Sequence, residues 1–366
     1  MTLPPDTSES VDVAVVGAGV VGLQVAYRLS KLGRKVVVIE KEMDAGRGVT
    51  AGQANVVHVV QLPFGSLKSK LARKGNRMYD EVARELGVKL SRVPSLLVVV
   101  GWSRIIPLFF AYLYLRVELG GQFRVQFMRG RSLRRLEPLL ADAVIAGIVV
   151  HGYGMIDTQS LVSKLVEASR KLGAVFRFGW ELTSVEMGEG PTLLKTTGGD
   201  VRAKFVVNAA GLYSDDVAVM LGRNLGRLEP GLGVMAVYTG LNLKSIVARL
   251  PLSVAARTKG GAIMPATDGT TIIGPTLRAV SSKEERAYMD EDLKLLGEKF
   301  GPLLKAEGRL ERVYAGVRPL SPTRDFIIDF DKVRRVVNLV GIESPGLTAS
   351  PAIALGVAKM ITGEQA

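Results

Sequence analysis

The sequence predicts an α/β fold, α+β overall, that opens on a parallel strand–helix–strand unit. Three observations carry this. Residues 11–16 (VDVAVV) form a short apolar run rich in β-branched residues, as a buried parallel strand does. The run leads into Gly17-Ala18-Gly19-Val20-Val21-Gly22, and then LQVAYRLSKLG places Leu23, Ala26, Tyr27 and Leu29 at helical spacing before Gly33. A second apolar run, 35–39 (KVVVI), closes on Glu40, 23 residues after Gly17. In this order the parts make a dinucleotide-binding fingerprint of the Rossmann type.

Each part has a physical task. Gly17 permits the tight strand-to-helix turn, Gly19 admits a pyrophosphate to the backbone, and Gly22 lets helix and strand pack closely. The phosphates would meet unpaired N–H groups at a helix N-terminus, where the dipole favours negative charge. Glu40 is placed to take both hydroxyls of an adenosine ribose.

Composition sets the outer bounds. The 366 residues suffice for one large or two interleaved domains. With no cysteine, disulfides, thiolate chemistry and cysteine-ligated metals are excluded; with His58 and His151 alone, so is a histidine-rich metal site. Net charge is +13, which nucleic acid, an anionic membrane surface or an acidic small substrate can each exploit. The basic residues are scattered, apart from Arg129, Arg131, Arg134 and Arg135, and no nucleic-acid-binding motif accompanies them, so no nucleic-acid partner is expected. The N-terminal MTLPPDTSES is polar, without a signal-peptide core, and a cytoplasmic protein is expected.

Further along, several segments carry an ordered resemblance. They are 46–58 (GRGVTAGQANVVH), 63–87, 153–174, 205–215 (FVVNAAGLYSD), 259–276 (KGGAIMPATDGTTIIGPT), 314–329 (YAGVRPLSPTRDFIID) and 337–354 (VNLVGIESPGLTASPAIA). With the fingerprint, the chain resembles the D-amino-acid-oxidase-type superfamily of FAD-dependent oxidoreductases. Within it, the resemblance is to the branch of flavin-linked glycerol-3-phosphate dehydrogenases and L-2-hydroxyglutarate dehydrogenases. It implies FAD contacts from Gly17, Gly19, Val20, Val21, Gly22, Glu40 and Lys41, and from Thr50, Ala51, Gln53, Ala54 and Asn55 in the loop that wraps the flavin. Ala210, Gly211, Arg318, Gly346, Leu347 and Thr348 complete that set. Gln53 and Asn55 depart from the small residues usual in that loop. Arg318 and Arg324 match arginines that face the substrate in glycerol-3-phosphate dehydrogenases, with Lys259 a third candidate for the same anion. Ala262 stands where 2-hydroxyglutarate dehydrogenases usually carry a histidine.

Read without the resemblance, these positions keep alternatives open. The turn 341–348 between an apolar strand and an apolar helix is either a plain helix cap, through Ser344 or Thr348, or a helix N-terminus aimed at a ligand. The run 205–210 is either a strand end or a close approach to a cofactor. An arginine pair is either solvated surface or a planar fork for phosphate or carboxylate. His58 is either a structural residue or a proton acceptor.

The expected division is an FAD-binding domain from 1–80, 150–225 and 325–366, interleaved with a mostly antiparallel substrate domain from 81–149 and 226–324. The expected activity is oxidation of the secondary alcohol of a small anionic molecule, with glycerol 3-phosphate first. L-2-hydroxyglutarate and an amino acid are the enzymatic alternatives, and a non-catalytic flavoprotein scaffold is the other class. Arg318 and Arg324 would fix the anion, Arg318 and His58 are the candidate catalytic residues, and electrons would pass to a quinone or other acceptor. One segment is out of character: 102–115 (WSRIIPLFFAYLYL) is apolar all round, yet too short and interrupted to span a bilayer. Buried core, a protein–protein contact and peripheral docking on the inner face of the cell membrane all fit it.

Overall fold

The computed structural model describes residues 9–250 and 260–363. Two sheets organise it. The first has eight strands: six run in the order Ile327–Asp331, Val336–Val340, Gly199–Asn208, Glu9–Val16, Val36–Glu40, Val175–Phe178, and the other two branch from Gly199–Asn208 through Thr192–Thr196 to Leu182–Glu186. From Val336–Val340 to Val175–Phe178 all neighbours are parallel. The β-branched composition of the opening strand follows from burial on both faces. Val13 and Val15 enter one core, while Val11, Ala14 and Val16 enter the other.

The helix Val20–Lys31 follows at once and buries Leu23, Ala26, Tyr27 and Leu29, the residues its spacing had singled out. Gly33, at φ 72°, ends it in a conformation that side chains rarely adopt. The fingerprint fold is therefore present as expected: a Rossmann-type parallel sheet flanked by helices.

The second sheet has ten strands built around Leu90–Val100, Val144–Ile156, Glu229–Thr239 and Arg309–Leu320. Its pairings are antiparallel except where Ile246–Arg249 lies beside Leu90–Val100. The chain alternates between the two sheets. Val144–Ile156 runs unbroken through position 150, and Val56–Val57 pairs with it. The second sheet thus takes strands from both sides of the expected division there.

Two helices bind the site together. Leu67–Leu86 crosses Gly346–Thr362 so closely that a Cβ at Gly75 would lie 2.0 Å from the Thr348 carbonyl oxygen. Buried Tyr79 donates its hydroxyl to the Leu347 carbonyl at 2.6 Å, which pins the first turn of the second helix. Thr348 does not cap that helix, whose N-cap is Pro345 without a side-chain bond. Its hydroxyl accepts instead from the His58 N–H, at 3.0 Å, and donates to the Val56 carbonyl.

Candidate active site

A cavity of about 920 Å³ runs from the carboxyl ends of the parallel strands to beneath the second sheet. Open parallel sheets place their ligands at this end. Its wall joins Gly17, Gly19, Val20 and Val21 to Glu40 and Lys41, and then to Thr50, Gln53 and Ala54. Ala210 and Gly211, Arg318, and Gly346 and Leu347 complete the same wall. Sequence positions 17 and 347 thus meet around one space.

The glycines of the first turn separate by cause. A Cβ at Gly17 would lie 2.4 Å from the Ala209 carbonyl oxygen, and one at Gly22 would lie 2.0 Å from the Gly17 carbonyl oxygen. The protein's own packing forbids side chains there, and Gly22 does not touch the cavity. Gly19 is different. Its φ of −71° suits any residue, and a Cβ there would meet only the Thr50 hydroxyl oxygen, at 3.3 Å. What a side chain at Gly19 would fill is the cavity, at the N-terminus of a helix, where a pyrophosphate is held best. Gln53 adds a second sign of fit: its buried Nε2 has no hydrogen-bond partner among the described residues, and the residue lines the cavity.

At the end of the cavity beside the first turn, the Glu40 carboxylate accepts from the Ala18 N–H at 2.6 Å and the Glu42 N–H at 3.0 Å. Burial pushes its pKa up against those two bonds. The carboxylate is fixed facing the cavity, with lone pairs left for ribose hydroxyls. Lys41 stands 4.0 Å over the Tyr213 ring and 3.5 Å from Glu284. Tyr213 and Trp180 give this end aromatic walls, which no motif in the sequence marks.

At the other end, His58 and Arg318 line the wall together with Lys68, Tyr153 and Glu343. Arg318 projects from Arg309–Leu320, whose Gly316 crosses the loop 46–58 at Gly52. A Cβ on Gly52 would lie 2.4 Å from the Gly316 Cα, so two glycines allow loop and strand to touch. Lys68 and Glu343, both buried, form an ion pair at 3.6 Å, and the Lys68 ammonium also donates to the Arg324 carbonyl at 2.5 Å. Nothing local in the sequence joins these two residues, which lie 275 positions apart. A usable signal existed: a lysine in the first turn of a helix opposes the helix dipole and needs a reason to be there.

Burial lowers the Arg318 pKa, and the Glu343 carboxylate opposes that shift. Burial, and then the Arg318 charge, push His58 down to about 4. The imidazole is thus neutral at physiological pH, in the form that accepts a proton. Tyr153, edge-on to His58 at 6.0 Å, is pushed up to about 12 by burial and keeps its proton. Because folding disfavours the charged imidazole, His58 leaves stability at its full value above pH 6.5. Stability then falls as pH drops toward about 4. Arg318→Gln should move that window upward, since it removes one of the two causes; NMR titration of the His58 ring checks this, and an unmoved pKa would remove Arg318 as a cause.

Other sequence candidates lie elsewhere. Ala51 is exposed and off the cavity wall, and Asn55 uses its carbonyl to accept from Ile156 at 2.9 Å. His151 bonds Gln126 at 3.1 Å away from the cavity. Arg324 sits at φ 59° in a turn with its side chain exposed, and it does not line the cavity. The turn serves its neighbour: the Asp325 carboxylate accepts the N–H groups of Leu67 and Lys68 at 2.7 and 2.8 Å, at the start of the helix that carries Lys68. Lys259 lies outside the described residues, next to Gly260 and Gly261 on the wall.

Comparison with known proteins fits this geometry. Glycerol 3-phosphate dehydrogenase of Caloramator mitchellensis is 29% identical over 357 residues, covering 94% of this chain and 72% of that protein. Mitochondrial L-2-hydroxyglutarate dehydrogenase of Arabidopsis thaliana is 28% identical over 415 residues, covering 96% and 83%. The solved structure of dithionite-reduced L-α-glycerophosphate oxidase from Mycoplasma pneumoniae, with FAD bound, shares the fold at a TM-score of 0.89. It is 24% identical and covers 96% of this chain and 95% of that one. The family described as DAO, FAD dependent oxidoreductase, matches residues 12–360. The chain belongs to that family, and it is an oxidoreductase whose cofactor is FAD.

Proposed function

We propose that the protein is a dehydrogenase for the secondary alcohol of a small anionic molecule. Glycerol 3-phosphate, oxidised to dihydroxyacetone phosphate, is the leading substrate, with a quinone or other acceptor taking the electrons. The observation that carries this reading is the pairing of His58 and Arg318 on one cavity wall, at the end away from the nucleotide site. Arg318 offers a planar fork to phosphate or carboxylate. His58 is neutral and takes the hydroxyl proton. The two roles support each other: a substrate anion beside Arg318 offsets the charge that depresses His58 and raises the imidazole's affinity for that proton. FAD, when bound, accepts the hydride equivalent that leaves the carbinol carbon. Gly17, Gly19, Val20, Val21, Glu40, Lys41, Thr50, Gln53, Ala54, Ala210, Gly211, Gly346 and Leu347 are proposed to hold it. Gly22 and Thr348 act one step back, by packing the turn and by holding the His58 backbone.

Support for the phosphate comes from the Caloramator mitchellensis relative, named a glycerol 3-phosphate dehydrogenase. Ala262, on the cavity wall, leaves no imidazole there for a second carboxylate. The Arabidopsis thaliana relative keeps L-2-hydroxyglutarate as the second reading.

An anaerobic screen separates the substrates. The oxidised holoenzyme should bleach with glycerol 3-phosphate and hardly at all with L-2-hydroxyglutarate, lactate or proline. Bleaching by L-2-hydroxyglutarate alone would replace the substrate, and bleaching by none would favour a non-catalytic flavoprotein.

A further inference from the structure

The apolar segment resolves into a short turn, Trp102–Arg104, and the helix Ile105–Glu118. Its inner face is accounted for: Leu108 and Leu115 are buried in the core under the second sheet, and Ala111, Tyr114 and Leu115 line the cavity. The outer face is equally apolar. Trp102, Ile106, Phe110 and Val117 are 78%, 69%, 65% and 76% exposed, and Phe109 and Leu113 lie between them. Positions 106, 110, 113 and 117 recur at helical spacing and form a single stripe. A monomer rarely leaves so continuous an apolar stripe to water.

Charge decides what covers it. Residues 88–136 contain nine Lys or Arg and one acid, Glu118. Arg104 and Arg116, near the two ends of the helix, and Arg124 beyond it make no ion pair among the described residues. A second copy of this chain would bring its own unpaired arginines against these, at a repulsive cost. Anionic headgroups beside hydrocarbon match both features at once. No helix among the described residues is long and apolar enough to cross a membrane, so any contact this helix made with lipid would run along the surface.

We propose that the outer face of Ile105–Glu118 docks the protein on an anionic phospholipid bilayer, with Ile106, Phe110 and Val117 in the acyl boundary and Arg104 and Arg116 among the headgroups. The inner face of the same helix walls the cavity, so docking brings the site to the lipid surface, where a lipid-dissolved electron acceptor is concentrated. The proposal goes beyond the proposed substrate and stands whichever anion is oxidised.

Flotation of the FAD-loaded full chain with vesicles tests it. Binding should be strong to equal parts phosphatidylglycerol and phosphatidylcholine and weak to phosphatidylcholine alone. Salt should reduce it without abolishing it, because screening weakens the charge attraction but not the apolar burial. The double variant Ile106→Ser/Phe110→Ser should lose roughly tenfold or more in partition while FAD content and turnover with a water-soluble dye stay unchanged. Arg104→Gln/Arg116→Gln should lose only the salt-sensitive part. Wild-type Trp102 gives a readout independent of any variant: brominated phosphatidylglycerol should quench its fluorescence. A wild type that fails to float with anionic vesicles at low salt, or that shows no quenching, overturns the proposal. So does a dimer that the serine variant disperses.

Discussion

Gly19→Val should fold and purify without FAD. The reason lies in what surrounds that position. Its backbone conformation is open to any residue, and a Cβ there would meet only the Thr50 hydroxyl. The branched side chain would occupy the space where a pyrophosphate meets the N-terminus of Val20–Lys31. Gly22→Val is the matching control. Its Cβ would strike the Gly17 carbonyl oxygen, so that variant should lose about 3 kcal/mol or more of stability and unfold at lower temperature. Absorbance of the purified protein and thermal melts separate the two effects. Stoichiometric FAD in folded Gly19→Val would overturn the placement of the pyrophosphate.

Arg318→Ala should retain FAD and lose about 1.5–3 kcal/mol of transition-state stabilisation, roughly ten- to hundredfold in kcat/KM for glycerol 3-phosphate. Oxidation of glycerol, which lacks the anion, should change far less. Equal losses on both substrates would mean that Arg318 shapes the site without meeting the anion. Arg324 supplies the contrast. Its match to an arginine of the resembled branch suggested a second anion contact, but its exposed side chain lies off the cavity wall. Arg324→Ala should therefore stay within about threefold of wild type, since an exposed side chain that bonds no other among the described residues carries little energy.

The fingerprint was legible because its strand, turn and helix follow one another in sequence, although the neighbour that forbids a side chain at Gly17 is Ala209, far along the chain. Burial of the run 11–16 on both faces, and of Leu23, Ala26, Tyr27 and Leu29, follows from composition and period alone. What stayed hidden depends on chain segments far apart in sequence. Asp325 starts a helix 258 residues earlier, and Lys68 meets Glu343 only because that helix crosses Gly346–Thr362. Gly52 and Gly316 read as ordinary loop and strand glycines until loop and strand touch. Thr348 shows the limit from the other side. A threonine ahead of an apolar helix reads as a cap, yet it spends its hydroxyl on the His58 backbone 290 residues away. The helix Ile105–Glu118 was ambiguous because an all-apolar sequence does not say which face the fold covers; the exposures of Ile106 and Val117 do.

The most direct test of the account is an anaerobic single turnover of the holoenzyme with glycerol 3-phosphate, in ordinary form and deuterated at C2. The proposed chemistry breaks the C2–H bond at a site assembled from His58 and Arg318. The flavin should bleach, one dihydroxyacetone phosphate should form per FAD, and deuteration should slow the bleaching. An unbleached flavin at saturating glycerol 3-phosphate, or bleaching that leaves C2 unoxidised, would contradict it.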